Sequence, residues 1–124
     1  MTRTRFDLDG LFEHAADPAF VLDPLEDRFV AANPAGCELL GYALEELVAT
    51  PISRIHPGEL AQLQEFVGHV LSAGHGTTTT LTCRTRSGTY LPTEMSVSTF
   101  ESSGRTYLLG LVVDRSEHRQ RRSG

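Results

Sequence analysis

The side chains able to do chemistry are few and scattered. Five histidines, His14, His56, His69, His75 and His118, stand in no metal-ligand spacing such as H-x-x-x-H, and no serine lies in a nucleophile elbow. Cys37 and Cys83 lack the paired spacing of a disulfide scaffold, a zinc site or an iron-sulfur site, and both read as buried, reduced thiols. This pattern predicts neither an enzyme nor a metal protein. His56, just ahead of Pro57 where a long helical pattern begins, reads as a capping or surface histidine. Asn33-Pro34 is a strong helix start, because an asparagine N-cap accepts from free first-turn amides and proline suits the first helical position. Asp114-Arg115-Ser116-Glu117 follows an apolar run directly. There the Asp114 carboxylate can bond local backbone amides and Ser116 can cap what comes next.

Composition removes other classes of function. The chain has 124 residues, 40% hydrophobic and 22% charged, which suits one domain with a single core. No run approaches the roughly 18 apolar residues of a membrane helix, and the opening MTRTRFDLDG lacks the apolar centre of a secretion signal. The expectation is therefore a cytoplasmic location with no membrane partner. Up to Val113 there are 14 acids against 7 arginines, and from Asp114 on 2 acids against 4 arginines. An acidic body gives no clustered basic face for phosphates, so no nucleic-acid partner is expected of this domain. The basic run Arg119 to Arg122 reads as a solvated tail or the first turn of a continuing helix.

These residues are positioned by elements whose periods are legible. Leu8, Leu11, Phe12 and Ala15 fall at helical spacing within Arg5 to Ala16, and Asp17-Pro18 ends that helix. Ala19 to Asp23 and Arg28 to Ala32 read as two strands joined by a hairpin-length turn. A helix from Asn33 runs to Gly41, and single turns at Glu45 to Leu47 and Ile52 to Ile55 are bracketed by Pro51 and Pro57. Gly58 to Ala73 is the main helix, with Leu60, Leu63, Phe66, Val67, Val70 and Leu71 on one face and Gly74 as its cap. The period then becomes two. Strands are expected over Thr77 to Arg86, Thr89 to Phe100 and Arg105 to Val113, the last apolar on both faces and hence central. This order implies an α+β domain, one antiparallel sheet with the helices gathered on one face.

In order and spacing, LFEHAADPAFVLD, FVAANPAGCELLGYALEEL, ISRIHPGEL, RTRSGTYLPTEMSVS and YLLGLVVDRSEH resemble a PAS domain over about Leu11 to Glu117. The resemblance implies a five-stranded antiparallel sheet of order 2-1-5-4-3, helices over one face, and a sensory or dimerising role upstream of a signalling output. It divides the chain into an N-terminal flanking helix (1–17), a PAS core (18–114) and a linker (115–124) toward an output domain. Asp114, Ser116 and Glu117 resemble the D-x-T/S-E motif that couples many PAS domains to that output.

Some PAS domains hold haem through a histidine of the long helix. Here His69 is the histidine within that helix, it points away from the apolar stripe, and Leu63 occupies the matching position. Flavin photosensors of the family carry a cysteine after the short helices, where this chain has VATPISRIHP. The resemblance therefore argues against both cofactors, with a haem-binding sensor the last of the readings. Phe20, Leu22, Leu39, Ile55, Leu63, Val67, Cys83, Met95, Val97, Leu109 and Leu111 are the candidate lining between sheet and helix. They either fill a core or surround a small molecule, and apolar walls favour a neutral or fatty one. The expected function is a cytosolic sensor and dimerisation module, partnered by its own copy and by a histidine kinase, cyclase or transcriptional activator as output. The rival is a ligand-free structural relay.

Overall fold

A computed structural model of the chain describes residues 8–56 and 58–116. Its elements are α1 (Leu8–Glu13), β1 (Ala19–Asp23), β2 (Arg28–Ala32), α2 (Pro34–Leu40), α3 (Leu44–Leu47), α4 (Ile52–Ile55), α5 (Leu60–Ala73), β3 (His75–Thr78), β4 (Thr82–Arg84), β5 (Tyr90–Ser102) and β6 (Arg105–Asp114). The expected positions of Glu117 and His118, of Pro57, and of the first helical residues before Leu8 lie outside the described residues.

One antiparallel sheet runs β2-β1-β6-β5-β3, with β4 also paired to β5. The doubly apolar strand β6 is central, as its composition requires. The expected third strand is split in two. Thr78 pairs with Met95 and Thr82 with Pro92, so residues 79–81 stand opposite only 93–94. That surplus residue lets Leu81 turn its side chain into the core, where it is 1% exposed, while the Thr93 hydroxyl donates to its carbonyl at 2.9 Å. With β3 and β4 taken as one interrupted strand, the order is the expected 2-1-5-4-3.

Strands β5 and β6 form a hairpin whose turn residues Ser103 (φ 52°) and Gly104 (φ 76°) are both left-handed, the geometry that matches strand twist. Helices α2 to α5 bring their apolar faces to one side of the sheet, over Phe20, Met95, Val97, Leu108 and Val112. Helix α2 lies closest, because a Cβ on Gly36 would come within 2.9 Å of the Phe20 ring. Asn33 fixes this approach. Its Oδ1 accepts from Gly36 N (2.8 Å) and Ala19 N (2.9 Å), and its Nδ2 donates to the carbonyls of Asp17 (3.0 Å) and Ala15 (3.4 Å). The expected cap is thus also a tie between the α1–β1 connection, β1 and α2.

Helix α5 is seated less deeply than its pattern predicts. Val70 is fully buried, Leu63, Phe66 and Val67 are half-buried, and Leu60 and Leu71 are 53% and 42% exposed. The helix stands off from the sheet, packing mainly over β3 and β5.

Candidate functional site

The gap beneath α5 is a cavity of about 560 Å³. Phe20, Leu22, Ile55, Leu63, Val67, Cys83, Met95 and Val97 line it as expected. Three expected members do not. Leu109 and Leu111 project from the opposite face of β6, because Phe20 pairs with Gly110 and Leu22 with Leu108, which turns Leu108, Gly110 and Val112 inward. A strand apolar on both faces carries no signal for which parity faces the helices. Leu39 lines a separate groove with Glu38, Arg86 and Asp114, because Leu40, one helical step on, takes the core position.

Gly110 forms part of the floor. A Cβ there would meet Leu22 Cδ1 at 3.5 Å and Val97 Cγ2 at 3.8 Å, ordinary contact distances, so a small side chain would fit without displacing its neighbours. At the back, Phe20 and Phe29 meet edge to face with centroids 5.7 Å apart. The exposed lining residues Asp27, Leu60, Gln64, Gly68 and Leu71 mark a mouth between the β1–β2 turn and α5.

The polar side chains on the wall, Asp27, Ser53, His56 and Gln64, were absent from the candidate lining. Asp27, left-handed at φ 52°, accepts from Ser53 N (3.1 Å) and Ser53 Oγ (2.7 Å), and its carbonyl accepts from Ile52 N (3.1 Å). The turn thereby caps α4 from outside that helix. His56 is neither a helix N-cap nor a surface residue. It is 6% exposed, lines the cavity, and places Nδ1 2.6 Å from the Thr82 carbonyl. A carbonyl only accepts, so Nδ1 carries the proton. Burial lowers the histidine's pKa, opposed in part by the bond to Thr82 and the nearby Glu59 carboxylate, so the ring is neutral with a bare Nε2. Glu59 in turn accepts from Thr82 N at 3.0 Å. The signal that could have found this residue is the sharp turn between two helical patterns, which forces the intervening side chain against the nearest strand.

Cys83 is buried in the wall, and burial pushes its thiol up to about 12. Burial also raises Cys37. His69 lies exposed on α5 beside Gly76. Among the described residues no three His, Cys, Asp or Glu side chains gather to hold a metal ion. At the end of β6, Asp114 Oδ1 accepts from Ser116 N at 2.8 Å, the local bond the sequence predicts. On the far side, Asp23 is buried, accepting from Leu25 N (3.1 Å) and Glu26 N (3.3 Å) and pairing with Arg105 at 2.6 Å.

The sequence model of the PAS domain family matches residues 17–117, and the chain belongs to that family, whose members serve as sensor domains of signalling proteins. No curated protein sequence matches it significantly. Among solved structures it is similar to a PAS domain from a two-component sensor histidine kinase (20% identity, TM-score 0.74, covering 86% of this chain and 92% of that one). It is also similar to a PAS domain from Colwellia psychrerythraea (19% identity, TM-score 0.79, covering 89% and 95%). A third is a domain of a sensory box sensor histidine kinase/response regulator from Geobacter sulfurreducens (26% identity, TM-score 0.71, covering 86% and 90%).

Proposed function

We propose that the chain is a cytosolic PAS sensor and dimerisation module that takes up a small apolar molecule under α5 and passes occupancy to an output domain through Asp114 and Ser116, with Glu117 following. The observation that carries this reading is the cavity itself. Packed interiors hold few voids larger than a water, whereas about 560 Å³ falls in the range of ligand sites. A helix with half-buried apolar residues above that space is suited to settle or lift as the space fills. The sensor histidine kinases among its structural relatives favour a kinase output over a cyclase or an activator. Native mass spectrometry of protein purified under mild conditions tests uptake. A discrete small-molecule adduct lost on denaturation is the expected result, and bare mass from several hosts counts against it.

A ligand-free relay is favoured by a different feature. The outward sheet face carries a run of Leu109, Leu111 and Val113 on β6 beside Val21, with Phe100 and Tyr107 stacked 5.8 Å apart at one end. Leu111 is 41% and Val113 47% exposed, and such a patch marks an interface, here between two copies. Leu111→Glu, or deletion of the residues before Asp17, is expected to lower the sedimentation mass. A mass unchanged by both would remove dimerisation from the proposal.

A further inference from the structure

Among the described residues, His56 is the buried polar residue lining the cavity, and its Nε2 is not engaged by the fold. Ser53 and Asp27 are bonded to one another, and Gln64 lies exposed at the mouth. His56 Nδ1 is committed to Thr82, and no described residue partners the other ring nitrogen of this 6% exposed side chain. That nitrogen is not sealed from solvent, but a water beside it would need two to four polar partners where the walls are mostly aliphatic and aromatic. The economical donor is one that brings its own apolar body.

Building on the reading of the cavity as a ligand site, we infer that its ligand is a neutral apolar molecule with one hydroxyl donor, an alkylphenol or alcohol, which gives its hydrogen bond to His56 Nε2. An anionic head group is disfavoured twice. It would face the Nε2 lone pair with the Glu59 carboxylate 3.9 Å behind the ring, and it would lose its hydration among apolar walls. A cationic head group would pay the same desolvation with both Asp27 carboxylate oxygens already engaged by Ser53. Gly110 lines the floor under α5 without a side chain of its own, beneath the apolar body.

The probes are 4-hexylphenol and its methyl ether, 4-hexylanisole, titrated calorimetrically into the parent and into His56→Asn. The asparagine amide can keep the donation to Thr82 while removing the acceptor at Nε2. The ratio of the two dissociation constants is compared between proteins, so that differences in probe solvation cancel. The phenol's advantage is expected to shrink roughly threefold to tenfold in the variant, the scale of one hydrogen bond. An unchanged ratio overturns the His56 assignment and leaves the apolar pocket standing, whereas failure of both probes to bind the parent overturns the pocket reading as well. Should the variant not fold, ¹⁵N-histidine spectra of the parent decide. The Nε2 resonance is expected to move with the phenol and not with the ether, and equal movement with both overturns the inference.

Discussion

Replacing Asn33 by alanine tests whether one fully buried amide holds the sheet, α2 and the leading segment together. The side chain is 0% exposed and makes four bonds, two accepted and two donated. Loss of an N-cap costs about 0.5–2 kcal/mol. The Ala19 amide, in a residue only 2% exposed, would also lose its acceptor, adding about 1–3 kcal/mol for a buried unsatisfied donor. The carbonyls of Asp17 and Ala15 belong to exposed and half-exposed residues and regain water, so they add little. The expected loss is about 1.5–5 kcal/mol, a large share of the 5–15 kcal/mol available to such a domain. Urea unfolding followed by circular dichroism reads it as a lower midpoint with an unchanged slope. Asn33→Asp keeps the acceptor but sets a carboxylate against two carbonyl oxygens in a buried place, and is expected to be destabilised too. A loss below about 1 kcal/mol in the alanine variant, the value of an ordinary exposed cap, would refute the tie.

Gly110→Val should move stability and binding in opposite directions. It is expected to gain about 0.5–1 kcal/mol in chemical unfolding by removing strand glycine, and to lose uptake of any ligand in the cavity; destabilisation would mean the floor is already full. For Asp23, burial raises the carboxyl's pKa, but the Arg105 guanidinium and the amides of Glu26 and Leu25 more than offset this, so its native value lies below 3.8. Its contribution is therefore present above 3.8 and lost as pH falls through the lower native value, so the stability gap between parent and Asp23→Asn should close on acidification; a gap constant down to pH 2.5 would contradict this. With its thiol pushed up to about 12, Cys83 in a Cys37→Ser background should react with a disulfide reagent at pH 8 only after denaturation. Reaction of the folded protein at a free-thiol rate would refute that burial.

What the sequence made legible was local. Asn33-Pro34, Gly41 and Gly74 announce helix ends because capping is decided within a few residues, and Asp114 makes its bond to Ser116 two positions away. The hairpin at Ser103-Gly104 is equally local. Three features were not legible, each set by the partner and not by the segment itself. The parity of β6 depends on its pairing with β1, which a strand apolar on both faces does not encode. The break before β4 depends on Thr93 supplying a hydroxyl to Leu81 from another strand. The role of His56 depends on a carbonyl 26 positions away. The cavity was legible only in part: apolar periodicity picked out eight of its lining residues, while its volume depends on how α5 seats over the sheet.

The split of the third strand also governs how copies of this domain can meet. One border of the sheet ends in two short pieces, His75–Thr78 and Thr82–Arg84, separated by a kink, and the other ends in the five residues of β2, beside which Pro51 bridges Arg28. Neither border offers a long straight row of free amides and carbonyls onto which a foreign strand can zip. Growth by lateral strand addition is thereby frustrated at both ends, and the apolar outward face can stay exposed in a single copy without seeding a fibre.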